Sequence, residues 1–437
     1  MNTSFSEEPR YNLKVIVQET GIKPDTLRAW ERRYGLPEPA RTAGRHRLYS
    51  ELDLEIIKWL MRRQEEGLSI SRAVDLWRSQ TSEGIDPLSE ETSQTAPLIP
   101  IPAGATLDQL RQTWIEACLN FDEATAEHVL AQSFALYPPE IACPEVLQDG
   151  LSKIGQLWYQ GEASVQQEHF ASALAIRKLD ALIAASPPPT RPGSILVGCP
   201  PEEEHTFPML FITLLLRQRG WKVIYLGANV PLARFESTVD TLKPNLVILS
   251  AQQLHSAASL LEVTHILENT GVPIAYGGRI FNLLPALREH IPAYFLGEDL
   301  KNLIQTIDHI ITRRPTIQKI KPVPVIYQDA LVNYREVQLA LEHNVGEMLA
   351  ENDTPYEHFA IANLHLSNDI KAALSFGDMN CLGNELNWIR GLTENYQIPQ
   401  EGLRIYLNAY YQVASNHLDN RGKPILEWLE NIKDNHR

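Results

Sequence analysis

The sequence predicts a multidomain chain of α and α/β architecture: an N-terminal winged helix-turn-helix, a helical segment, a parallel-sheet α/β domain and a C-terminal all-helical domain. Three observations carry this. Short helix-period runs, parted by a glycine and rich in arginine, fill the first 80 residues. Between residues 193 and 313 short β-rich runs alternate with amphipathic runs of helix length, the pattern of a parallel, doubly wound sheet. On either side, over 107–188 and 325–437, the helical period persists without a strand-like run. A chain of 437 residues is too long for one ordinary core and should divide.

Composition narrows the function. An apolar fraction of 44% with 21% charged residues fits a soluble globular protein. A net charge of −15 excludes a chain that coats nucleic acid along its whole length. Residues 1–80, however, hold 14 Lys/Arg against 12 Asp/Glu, so the nucleic-acid end is the N-terminal one. The first residues contain no apolar run of signal-peptide length, and the apolar stretch Met209 to Leu216 is far short of a membrane span. Cys118, Cys143, Cys199 and Cys381 are scattered, as free thiols in a reducing cytoplasm would be. The expectation is a cytoplasmic protein with no membrane partner.

The first module spans 10–78. A helix from Lys14 to Thr20 ends at Gly21, which is free to take positive φ. Asp25 offers an N-cap for a second helix through Arg33. That helix presents Arg28, Arg32 and Arg33 on one face, suited to a major groove. Arg41, Arg45, His46 and Arg47 then fall in a hairpin wing ending near Tyr49, placed to rest on phosphates. The alternative is a solvated basic face on a small helical domain. The string from Thr26 through Trp30 to Gly35, with Arg41 to Ser50, resembles the MerR family, whose pattern runs TLRxWERRYG and then RTxxGHRLYS. Arg45 departs from it, standing where Gly is usual. The resemblance implies double-stranded operator DNA as a partner, with Thr26, Arg28, Trp30, Arg32, Arg33, Arg41, Arg45, His46, Arg47 and Tyr49 as the DNA-binding set. It also implies a homo-oligomer, a dimer or a tetramer.

Residues 79–106 are dominated by Ser, Thr, Pro and Gly and read as a linker. In the helical segment that follows, nine residues separate Trp158 from Glu168-His169, with Gly161 among them, so Trp158 should end one helix and Glu168 lie in the next. A Trp can cover a planar ligand and a Glu can accept from a sugar hydroxyl. Taken alone, the pattern reads first as a core Trp158 and a surface Glu168-His169. In the α/β domain the strands are SILVG, KVIYLG, LVILS, VPIAYG and PAYFLG, and a ligand belongs at their carboxyl ends. Glu203 and His205 follow the first strand, where an imidazole oriented by a carboxylate can bind a metal. Ser250 ends the third strand and Gly277-Gly278 the fourth, where glycines admit close approach to the backbone. The bland alternatives are a surface histidine and an ordinary loop.

Together, Glu203-x-His205, Ser250 and Gly277-Gly278 resemble the cobalamin-binding fold, a four-helix cap on a flavodoxin-like domain. The Trp158-x9-Glu168-His169 pattern is similar to that of light-sensing, adenosylcobalamin-dependent MerR repressors of the CarH/LitR type. This resemblance covers 107–188 and 193–313. It implies a cobalamin cofactor, adenosylcobalamin above all, with His205 as the lower cobalt (metal) ligand. Trp158, Val165, Glu168 and His169 would cover the upper face, and Ser250, Gly277 and Gly278 would line the groove for the nucleotide tail. Two positions depart: Pro208 replaces the Gly of the family motif, and Tyr159 stands where some relatives have His.

The domain 325–437 has no recognised family. Tyr406, Tyr410, Tyr411, Trp428 and Leu429 form a helix-spaced stripe that reads as core, or else as a surface for a protein partner. His358, His365 and His417 form no metal set. The leading expectation is a non-enzymatic transcriptional regulator whose oligomerisation and operator binding follow a cobalamin cofactor and, through it, light. The alternatives are a regulator that keeps the fold without the cofactor and answers to a protein partner, favoured by Pro208 and Tyr159, and a corrinoid-dependent methyltransferase component.

Overall fold

The structure, a computed structural model, describes residues 5–6, 8–41, 47–65, 68–82, 87–88, 105–298, 302–317, 319–351, 356–383 and 400–435. The chain forms two compact units, residues 1–100 and 101–437.

In the first unit, Asn12 caps the helix Leu13–Thr20 through the N–H of Val15, and Gly21 closes it at φ 72°. The helix Pro24–Tyr34 follows. Its N-cap is Lys23, not Asp25 as the sequence predicts: Pro24 has no N–H to cap and starts the helix, so Asp25 falls in the first turn and pairs with Arg28. Strands β1 (Tyr11–Asn12), β2 (Ala40–Arg41) and β3 (Arg47–Tyr49) form an antiparallel wing in the order β1-β3-β2. Ile16, Leu27, Trp30, Tyr49, Ile57 and Trp59 make the core. The helix Ile70–Ser82 takes in residues 79–82, which the composition assigns to the linker. Thr81 and Ser82 bond their hydroxyls back to the carbonyls of Trp77 and Ser79, so polar residues continue the helix here.

The second unit begins with a four-helix cap: Leu107–Leu119, Glu123–Leu136, Asp149–Tyr159 and Val165–Ala184. Thr106 and Ser164 start the first and last of these with capping boxes. A parallel sheet follows, of strands β4 (Ser194–Gly198), β5 (Lys222–Tyr225), β6 (Leu246–Ser250), β7 (Ile274–Gly277) and β8 (Tyr294–Phe295), in the order β5-β4-β6-β7-β8. All five fall within the strands read from the sequence, the last shortened to two residues. Successive residues serve opposite faces: Ile195, Val197 and Ile248 join the core that contains the cap, while Leu196, Val247 and Leu249 join the core that contains the C-terminal bundle. Chain order reverses between β4 and β6, so a crevice opens at their carboxyl ends.

The C-terminal bundle comprises helices Val325–Glu351, Tyr356–Phe376, Gln400–His417 and Lys423–Asn435. Tyr406, Tyr410 and Leu429 are fully buried, with Tyr411 and Trp428 packed against them, so the stripe is core. The Tyr334 hydroxyl bonds both Ser367 Oγ (2.8 Å) and Tyr410 Oη (2.7 Å), satisfying buried polar groups. All four cysteines are free and buried. Among the described residues no helix is long and apolar enough to cross a membrane.

Candidate functional site: a cofactor cleft and a DNA-facing module

The crevice is built around one buried carboxylate. Glu203 is fully buried in the loop after β4. Its Oε1 accepts the backbone N–H of His205 at 2.8 Å and pairs with His205 Nδ1 at 2.7 Å. Its Oε2 accepts the N–H of Gln252 at 2.6 Å and the hydroxyl of Ser256 at 2.7 Å. These donors belong to the start of the helix Leu254–Leu267, whose N-terminal dipole favours an anion. Burial opposes ionisation of Glu203, but His205, Ser256 and Gln252 together hold its pKa below the ordinary value. The bond to Glu203 raises the pKa of His205 despite burial, with Glu168 adding to the rise and Arg279 opposing it.

An ionised carboxylate only accepts, so Nδ1 of His205 carries a proton, and in the neutral imidazole Nε2 is the nitrogen with the lone pair. The imidazole is 55% exposed while its carboxylate partner is 0% exposed, so the donor nitrogen is offered on a rigid base. Gln252 ties the neighbouring loops together: its Nε2 donates to Ser250 Oγ at 2.7 Å, and its Oε1 accepts the N–H of Arg279 at 3.1 Å. The two glycines differ. Gly278, at φ 124°, is required by the fold, because a Cβ there would lie 1.9 Å from the carbonyl oxygen of Ala251. A Cβ on Gly277 would meet only Leu296, at 4.0 Å, so Gly277 leaves the groove open.

On the cap, Trp158 stands one residue before the end of the helix Asp149–Tyr159, partly buried, its ring 5.0 Å from that of Tyr159. Val165 is 41% exposed at the start of the next helix. Glu168 lies one turn on, accepting from Ser172 Oγ at 2.7 Å and pairing with His169 Nδ1 at 2.9 Å. Pro208 sits in the first turn of the helix Phe207–Gln218, where no N–H is needed. The site residues fit a corrinoid. The corrin ring brings its own equatorial nitrogens, so the protein need supply one imidazole nitrogen and an open groove. No cluster of three or more His, Cys, Asp or Glu among the described residues could hold a bare metal ion.

On the DNA-facing module, Thr26, Arg28, Arg32, Arg33 and Arg41 are exposed. Arg45 and His46 lie outside the described residues. Trp30 is 5% exposed and Tyr49 is 0% exposed, which corrects their sequence-based role: they pack the core and do not face DNA. Tyr49 donates its hydroxyl to Glu31 Oε1 at 2.6 Å, and Arg47 Nε donates to Glu31 Oε2 at 2.6 Å. Glu31 thereby pins the wing to the second helix, and Arg47 is held in that bond, not extended to solvent. Burial, together with the Glu31 carboxylate, pushes the Tyr49 pKa up.

Comparison with known proteins agrees with both halves. Family profiles match over residues 11–80 (MerR HTH family regulatory protein), 110–183 (B12 binding domain) and 193–301 (B12 binding domain). The HTH-type transcriptional repressor CarH of Myxococcus xanthus is 31% identical over 296 residues, covering 67% of this chain and 97% of its own. The chain belongs to the CarH family of MerR-type regulators. CarA of the same organism is 31% identical over 291 residues, covering 65% of this chain and 89% of its own. Among solved structures, the monomethylamine corrinoid protein of Methanosarcina barkeri aligns at 13% identity over 47% of this chain and 99% of its own, with a TM-score of 0.37, too distant to carry an argument. As a CarH-family member the chain is a cobalamin-dependent, DNA-binding transcriptional regulator. None of the three profile matches passes residue 301, so the bundle lies outside them.

The sequence missed Gln252, Ser256 and Arg279, which complete the cleft. Only Gln252 had a local signal, two residues after Ser250 at a strand end.

Proposed function

We propose that this chain is a non-enzymatic transcriptional switch that holds adenosylcobalamin on His205 and changes its assembly on operator DNA when light reaches the cofactor. The observation that carries this is the Glu203–His205 pair, which presents one nitrogen on a fully bonded carboxylate, in the same chain as a DNA-binding module. When bound, adenosylcobalamin supplies a cobalt–carbon bond that light can break. His205 would hold the cofactor through Nε2, with Glu203 fixing its tautomer. Ser250 and Gly277 line the groove for the nucleotide tail. Trp158, Val165, Glu168 and His169 would cover the cofactor from the cap side, and Trp158 would repack when the space beside it changes. Such a switch needs a difference in affinity between two assembly states.

One helix-turn-helix reads one half-site, so operator binding calls for at least a dimer, with a tetramer as the larger alternative. Arg28, Arg32, Arg33 and Arg41 meet DNA directly, while Arg47 acts through Glu31. The reading that the fold is kept without its cofactor loses the support of Pro208, which a helical first turn accommodates. Tyr159 still argues against an upper-face histidine like that of some relatives.

The test is purification in the dark with adenosylcobalamin, then visible spectra, light scattering and operator titration before and after illumination. We expect an imidazole-ligated spectrum, an oligomer that changes mass on illumination, and operator binding that weakens steeply with salt. A protein that takes up no corrinoid overturns the cofactor half. Unaltered operator affinity in an Arg28→Ala/Arg33→Ala protein overturns the DNA assignment.

A further inference from the structure

The loop that carries His205 contains three consecutive glutamates, and each faces a different neighbour. Glu203 holds His205. Glu204 accepts from Asn229 Nδ2 at 3.0 Å. Glu202 reaches toward the C-terminal bundle: its carboxylate accepts from Ser259 Oγ at 3.1 Å and pairs with Lys371 Nζ at 3.5 Å, on the helix Tyr356–Phe376. Glu202 also stands at φ 65°, a left-handed conformation that side chains other than glycine seldom adopt. Strain of this kind persists only where the surroundings over-determine it. Here Asn229 Oδ1 takes the backbone N–H of Glu202 at 3.0 Å while Ser259 and Lys371 hold its carboxylate.

A second link runs through the start of the helix Leu254–Leu267. Gln252 and Ser256 face the cleft and hold Glu203. Between them in sequence, His255 faces the bundle: its backbone N–H donates to Asp369 Oδ1 at 3.1 Å, and its Nδ1 pairs with the same oxygen at 3.0 Å. The His255 and Asp369 side chains are 8% and 2% exposed. One helix N-terminus is thus gripped between the carboxylate that orients His205 and a carboxylate of the bundle.

These polar links are not what keeps the bundle attached. Leu366, Ile370, Ala373 and Leu374 are fully buried in a core continuous with β6 and with Leu254–Leu267, and that apolar surface supplies the adhesion. The partly exposed Glu202–Lys371 pair and the buried His255–Asp369 pair each add little to net stability, and their use is to fix geometry.

We propose that Lys371 and Asp369 are positioning residues for His205: the C-terminal bundle sets the loop that carries the cofactor ligand, and the bundle feels in return whether that ligand is engaged. The second half rests on the cobalamin reading; the first does not. Reciprocity follows from linkage, since a grip that favours one placement of His205 is tightened by anything that binds that placement.

The test uses the full chain and the variants Lys371→Met, Asp369→Asn and Lys371→Arg. In corrinoid-free protein, hydrogen-exchange mass spectrometry should show exchange over residues 200–206 rising about fivefold or more in Lys371→Met and Asp369→Asn, with helix Val325–Glu351 unchanged and Lys371→Arg at the wild-type rate. With hydroxocobalamin as the probe, the same two variants should bind about tenfold more weakly and show less of the imidazole-ligated spectrum, and Lys371→Arg should restore both. In wild-type protein, loading should slow exchange in the helix Tyr356–Phe376. Unchanged exchange at 200–206 in both variants overturns the proposal. So does a rise that spreads evenly through the bundle, which marks a purely structural role. Wild-type protein that takes up no hydroxocobalamin refutes the cobalamin reading and with it the return signal, while the exchange rates still decide the positioning claim.

Discussion

The two walls of the cofactor cleft are built on opposite plans. On the sheet side every oxygen of Glu203 is engaged, His205 is held by ring and backbone alike, and Gly278 is locked against Ala251. On the cap side Val165 and Tyr159 are 41% and 43% exposed, the His169 side chain is 76% exposed, and Trp158 is only partly buried. The contrast separates two tasks. A prebuilt wall gives affinity, because little ordering remains to be done on binding. A loosely packed wall gives response, because its side chains have somewhere to go.

The strongest way to break this comparison is to remove the prebuilt wall. Glu203→Ala deprives four donors of their acceptor, and corrinoid affinity should fall about 10- to 100-fold, with a shift toward the imidazole-free spectrum. Equilibrium dialysis that finds wild-type affinity in Glu203→Ala would erase the distinction. Next come the glycines. Gly278→Ala should destabilise the fold by about 1–3 kcal/mol, read as a lower thermal midpoint, since a Cβ there strains the backbone and strikes Ala251. Gly277→Ala should leave the midpoint in place and weaken corrinoid binding alone; equal thermal effects would show that the two glycines share one role.

On the loose wall, Trp158→Ala should spare uptake and the imidazole-ligated spectrum yet abolish the light-dependent change in mass. Light scattering that still reports the change would move the response away from the cap.

The smallest effect concerns the far side of the rigid wall. His255 has a raised pKa: burial opposes its charge, but the bond to Asp369 more than offsets this, helped by Glu202 and Glu203. Its stabilisation is complete below the unfolded value of about 6.5 and is lost as pH rises through the folded value. His365, ring to ring with His255 at 5.9 Å, has its pKa lowered by burial and by His255, so it costs stability on acidification. In His365→Gln the thermal midpoint should gain more between pH 8 and pH 6 than in the wild type. Calorimetry showing the same gain in both would remove His365 from the balance.

Much of this was legible in the sequence, for reasons that differ by element. The strands were plain because buried parallel strands are continuous apolar runs, as in SILVG and LVILS. Glu203 and His205 were legible because they follow a strand that ends at a crevice. Trp30 and Tyr49 were misassigned because an aromatic within a DNA-binding motif can face either way, and only packing on Leu27 and Ile57 decides it. The links from Glu202 to Lys371 and from His255 to Asp369 join residues more than a hundred positions apart, which no local pattern reveals. The end of the helix Ile70–Ser82 was hidden because Ser and Thr read as linker until their hydroxyls fold back on the backbone.

The helix Leu254–Leu267 has one further consequence. Over its first two turns every residue from Leu254 to Leu261 is buried, and beyond them Val263 and Leu267 are buried too, leaving Glu262 and His265 on the one stripe that reaches solvent. A helix of that kind can exist only as an inner layer. The bundle is therefore no detachable accessory. Removing residues 325–437 would strip the outer layer from an apolar middle one, and light scattering should report aggregation of the shortened chain.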